Sequence, residues 1–211
     1  MDRLAAISEE IHLAFEARTS ARDDALSQAR TLTRHCANAI RSVHRNDFSG
    51  AEEQLESAVS IVKTLQSELE KYPDLYYAGY TQDALKEYAE ASIVYALITE
   101  KDLPTPQELG IENPSYLNGL AEAVGEFRRR CLDILRIGYS GEAERLLQQM
   151  DDIYAVLITM DYPNAITGGI RRQTDIARSI IERTRGDITL SLRQEQLEKS
   201  MVKLEQRLKE P

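Results

Sequence analysis

Two glutamates one helical turn apart, Glu87 and Glu90, head an otherwise apolar run from Ala91 to Ile98. Between Glu87 and Glu100 the sole charged side chain is Glu90. A spacing of three places both carboxylates on one side of a helix. Negative charge at the edge of an apolar surface is costly unless positive charge answers it. A divalent cation is one such answer, and it would bring chemistry with it. The plain alternative is a solvated face, since glutamates at this spacing often do no more than keep a helix soluble.

A second acidic pair, Glu122 and Glu126, lies four residues apart, again on one face. Gly119 precedes it and Gly125 falls between its two members. Each glycine costs a helix interior about 1 kcal/mol relative to alanine. Close packing of another helix at those two positions would offset that cost, and carboxylates on closely packed helices suggest a site between them. The alternative here is an exposed face on which Glu126 pairs with Arg130. A carboxylate set without histidine suits hard cations such as Mg²⁺ or Mn²⁺. His12, His35 and His44 are too scattered for a zinc site.

A third constellation is basic. Arg30, Arg34, Arg41 and Arg45 fall within about 60° of one another on a helix at 100° per residue, opposite an apolar face. Such a row could track phosphates although the chain carries a net charge of −9. It could equally be an ordinary solvated face. Arg128-Arg129-Arg130 and Arg171-Arg172 could extend it. No Gly-rich phosphate loop, Ser-His-Asp pattern or Cys-His pair is visible.

The elements that must position these groups are helices. The 211 residues are 42% hydrophobic, enough to bury a core, and Ala, Leu, Glu and Arg dominate while Gly and Pro are sparse. The expected fold is all-α, an antiparallel bundle of about seven helices in one domain over 1–211. The pattern predicts helices over about 2–18, 21–45, 49–69, 82–101, 114–137, 141–160 and 165–185. A last helix over about 189–209 forms a C-terminal extension. Ser49 and Glu52 have capping-box spacing, and Gly186-Asp187 reads as a stop. Leu197, Met201, Leu204 and Leu208 form a narrow seam on the last helix, suited to packing on one partner surface or on the chain's own bundle. Cys36 and Cys131 fall on apolar faces and are expected to be buried free thiols. With no apolar leader at Met1 and no span of about 18 apolar residues, the expected location is cytoplasmic, with no membrane partner.

Glu87-Tyr88-Ala89-Glu90-Ala91 resembles the Glu-Tyr-x-Glu-Ala motif of translin-associated factor X. Tyr116 through Glu126 resembles the same family's Tyr-Leu-x-Gly-x-x-[Asp/Glu]-x-x-Gly-Glu segment, and Arg30, Ile40 and His44 match an upstream Arg…Ile…His pattern. The resemblance covers roughly residues 20–185 and points to an archaeal-type member of the translin superfamily, nearer the catalytic factor X branch than translin itself. It implies a homo-oligomer larger than a dimer, closed as a hollow shell. It implies a Mg²⁺- or Mn²⁺-dependent endoribonuclease that cleaves single-stranded RNA inside the shell, with single-stranded DNA as a further ligand. Glu87, Glu90 and Glu122 become metal-binding and catalytic carboxylates, and Glu126 beside them completes both the catalytic and the metal-binding set. Arg30, Arg34, Arg41 and His44 become nucleic-acid-binding residues. One departure is Glu122, where the factor X branch usually has Asp. The alternative reading is a non-catalytic helical module that binds single-stranded nucleic acid or a protein.

Overall fold

The longest apolar stripe in the chain, Ala25, Ala29, Leu32, Cys36, Ala39 and Val43, is buried along one helix, α1 (Asp2–His44). The computed structural model describes residues 2–209 and, among them, contains helices and no strand. The two N-terminal helices expected from the pattern are therefore one. The joining residues Arg18-Thr19-Ser20-Ala21 include neither Gly nor Pro, so nothing interrupts the hydrogen-bond ladder.

The chain divides into two compact units, residues 1–119 and 120–211. In the first, α1 packs on α2 (Phe48–Glu68) and α4 (Gly79–Ile98), with a one-turn α3 (Pro73–Tyr76) between them. The cap of α2 is Asp47, whose carboxylate accepts from the Gly50 amide at 3.0 Å, rather than Ser49. Asp47 stands two residues before Ser49, and its carboxylate reaches the free amide of Gly50. The stripe of α2 buries Ala51, Ala58, Val62 and Leu65. α4 is buried nearly all round from Ala84 to Ala96, as its unbroken apolar run requires. A second one-turn helix, α5 (Pro106–Leu109), carries a capping box between Thr105 and Glu108 and ends on left-handed Gly110.

α6 (Asn113–Leu135) begins in the first unit and ends in the second. Its first turns are tied to α4. Ser115 donates to Gln82 Oε1 at 2.8 Å, and a Cβ added at Gly119 would lie 2.7 Å from the Lys86 carbonyl and 2.9 Å from the Glu90 amide nitrogen. Close approach thus explains Gly119. It does not explain Gly125, where an added Cβ would meet nothing within 4 Å.

In the second unit, α7 (Gly141–Leu157) starts on Ser140, whose hydroxyl accepts from the Glu142 amide, and packs on α9 (Ile170–Lys209). A one-turn α8 (Asn164–Thr167) and left-handed Gly168 precede α9. The predicted stop at Gly186-Asp187 does not occur. Thr184 and Ile188 are buried on either side of Gly186, and Asp187 accepts from Arg128 at 2.8 Å. Those contacts outweigh the helix penalty of about 1 kcal/mol for one glycine. Beyond Glu195 every described side chain of α9 is exposed, including Leu197, Met201, Leu204 and Leu208. The opening half of α1 is also exposed, with Leu4, Ile7 and Ile11 at helical spacing. Among the described residues no helix is long and apolar enough to cross a membrane.

Candidate metal centre

Helix α4 presents Glu87 and Glu90 one turn apart, and the burial of the helix around them sets their surroundings. Glu90 is itself buried, at 8% exposure, while Glu87 is half-buried and lies 3.3 Å from the Lys86 ammonium. Ala84, Leu85, Tyr88, Ala89 and Ala91 are all buried alongside. Cys36 of α1 feels both carboxylates. Burial first, then the charges of Glu87 and Glu90, push its thiol far above the usual range. The acidic pair therefore lies within electrostatic reach of this α1 thiol.

Glu122 stands three residues past the division between the units, on the same unbroken helix as Gly119. Each of Glu87, Glu90 and Glu122 offers one carboxylate oxygen, and these three atoms lie within 4.8 Å of one another. Oxygens that share one Mg²⁺ lie at most about 4.2 Å apart, and those that share a larger Ca²⁺ about 5 Å. The three carboxylates are therefore close enough for side-chain adjustment to bring them onto one cation. All three donors are hard oxygens, which suits Mg²⁺ or Mn²⁺ and disfavours zinc.

Glu126, one turn further on, is outside this group. It pairs with Arg129 at 3.6 Å, while Arg130 donates to Glu142 at 2.8 Å. Arg128 is engaged with Thr184 and Asp187, so two members of the arginine run serve the packing of the second unit. Cys131 on the same helix is buried, and its thiol is pushed up to about 12 by burial and then by the charge of Glu142.

On α1 the basic row is exposed, as an opposite-face row must be: Arg30, Arg34, Arg41 and Arg45 all reach solvent. Around the helix axis, at 100° per residue, Arg30 is about 120° from Cys36 and Arg45 about 180°, whereas half-buried His44 is about 80° away. Arg30 and His44 thus form the edge of the row nearer to α4. Arg41 donates to Asn38, and Arg30 donates to the Leu26 carbonyl at 3.1 Å.

One residue went unnoticed in the sequence. Gln173, in the first turn of α9, donates its amide to Glu122 Oε1 at 2.9 Å. The same residue lines a hollow of about 640 Å³ together with Arg171 and Arg172. Nothing in the local pattern around Gln173 marks it, because it meets Glu122 across 51 positions of sequence.

No family model matches the chain. It is 33% identical over 171 residues to an uncharacterised protein of Methanocaldococcus jannaschii, covering 80% of this chain and 75% of that protein. Among solved structures it resembles AfC3PO, at 30% identity with a TM-score of 0.78, over 87% of this chain and 95% of that one. It also resembles AfC3PO in complex with duplex RNA, at 29% identity with a TM-score of 0.80 over the same shares. Apo-NeC3PO is similar at 26% identity and a TM-score of 0.78, over 90% of this chain and 98% of that one. With this extent of likeness, on an all-helical fold and around an α4–α6 carboxylate group, the chain belongs to the translin superfamily.

Proposed function

We propose that the protein is a Mg²⁺- or Mn²⁺-dependent endoribonuclease that cleaves single-stranded RNA within a homo-oligomeric shell. The observation that carries this reading is the convergence of Glu87, Glu90 and Glu122 on one small volume. The likeness to AfC3PO, which forms a complex with duplex RNA, supports RNA as the ligand class. Glu87, Glu90 and Glu122 would hold the cation through one oxygen each, and Glu126 would act from beside them. The chemistry a cation would supply there is a lowered pKa for an attacking water and neutralisation of charge on the scissile phosphate. Buried Glu90 sits in apolar surroundings that exclude competing water and strengthen its hold on a positive charge. Lys86, at 3.3 Å from Glu87, forms an ion pair with that carboxylate. Arg30 and His44 would grip the strand nearest the carboxylates, and Arg34 and Arg41 further out. Phosphate contacts of this kind position a strand without reading its sequence.

The exposed apolar seams of α1 and α9 are where further copies would join, giving a particle larger than a dimer with its acidic charge outward. The test is cleavage of single-stranded and duplex RNA with Mg²⁺, with EDTA, and with Glu90→Ala. Cleavage of the single strand that is lost in EDTA and in Glu90→Ala, with RNA binding retained, is the expected result. Binding without cleavage under every condition would establish the non-catalytic module instead.

A further inference from the structure

We propose that Gln173 is the positioning residue of the metal centre, orienting Glu122 so that its carboxylate is set for the cation before the cation arrives. The inference rests on the metal reading above. A ligating carboxylate works best when a neighbouring donor holds its plane, and loss of such a partner weakens metal binding. Gln173 supplies that donor at 2.9 Å. One bond to Oε1 uses one of roughly four lone-pair sites on the carboxylate, so orienting it does not saturate it.

The residue type suits the task. A lysine or arginine here would also donate, but it would cancel the charge that attracts the cation. In a segment that also carries Arg171 and Arg172, a neutral amide donates to Glu122. A glutamine does not titrate, so its own capacity to donate is the same at every pH. Its backbone is also well fixed: Ile170 and Ala177 anchor the first two turns of α9, at 1% and 0% exposure. Thr174 adds a bond from its hydroxyl to the Ile170 carbonyl at 2.9 Å. The amide is therefore delivered from a rigid turn rather than from a loop.

The experiment measures Mn²⁺ affinity of the full chain by calorimetry, beside the melting midpoint of the metal-free protein. Gln173→Met keeps the side-chain volume and removes the donor, and Glu90→Ala serves as the control. The expected result is Mn²⁺ affinity lower by about ten- to a hundredfold in Gln173→Met, a metal-free midpoint close to that of the native protein, and binding lost in Glu90→Ala. Native affinity in Gln173→Met with binding lost in Glu90→Ala would overturn the role of Gln173 and leave the metal centre standing. Native affinity in both variants would overturn both. If Gln173→Met does not fold, Gln173→Ala is judged by the same criterion. A collapsed midpoint in both would assign Gln173 a structural role and overturn the proposal.

Discussion

Two glycines on one helix give opposite stability effects when replaced by alanine, and the difference can be worked from the packing. At Gly119 the added Cβ would stand 2.7 Å from the Lys86 carbonyl oxygen, 2.8 Å from the Ala89 Cβ and 2.9 Å from the Glu90 nitrogen. Two of these are backbone atoms of a helix buried nearly all round, so α6 must move away from α4 by several tenths of an ångström. Overpacking of this kind costs about 1–3 kcal/mol, and three simultaneous contacts put Gly119→Ala near the upper end. Alanine returns about 1 kcal/mol in helix propensity, which leaves a net loss of about 2 kcal/mol. At Gly125 nothing lies within 4 Å, so Gly125→Ala keeps the propensity gain of about 1 kcal/mol. The two variants should differ by about 3 kcal/mol in chemical denaturation, or by about 6–12 °C in melting midpoint for a chain of this size. The same displacement would carry Glu122 away from Glu87 and Glu90, so Gly119→Ala should also weaken Mn²⁺ binding while Gly125→Ala should not. Equal stability of the two variants would refute the close α4–α6 approach and the geometry of the centre with it.

Burial raises both thiols, Cys131 from an ordinary 9.0 to about 12 and Cys36 beyond that, so the folded state keeps protons that the unfolded chain releases. Their contribution to stability is complete below pH 9.0 and should be lost progressively as the pH climbs towards about 12. Denaturation midpoints that stay flat over that range would contradict this. Neither thiol should react with an alkylating reagent in the native protein at pH 8, and labelling faster than unfolding would count against their burial. The Arg30→Ala, Arg34→Ala double variant should weaken RNA binding across sequences and reduce the salt slope by about 1.4, at 0.7 per single-strand phosphate contact. An unchanged slope in filter binding would remove the row from the interface. Replacing Leu197 and Leu204 with Glu should reduce particle mass in light scattering. A native particle already at the 23.9 kDa chain mass would overturn the assembly reading.

The helical class and the faces of most helices were legible in the residue pattern because they are local. Apolar periodicity put Ala25 to Val43 inward on α1, and the unbroken run after Glu90 announced a helix buried on every side. Helix boundaries were less legible, since Gly186 and the Thr19-Ser20 pair carry only weak local penalties that neighbouring contacts override. Glu87 and Glu90 could be paired from spacing alone, because one helix fixes both. Three things needed the tertiary structure. One was that Glu122 joins them while Glu126 does not. Another was that Gly119 marks a close contact and Gly125 none. The last was that Gln173 reaches Glu122 from α9. Each depends on the approach of segments tens of residues apart, and helix periodicity is blind to that distance: it says which way a side chain points, never what it will meet.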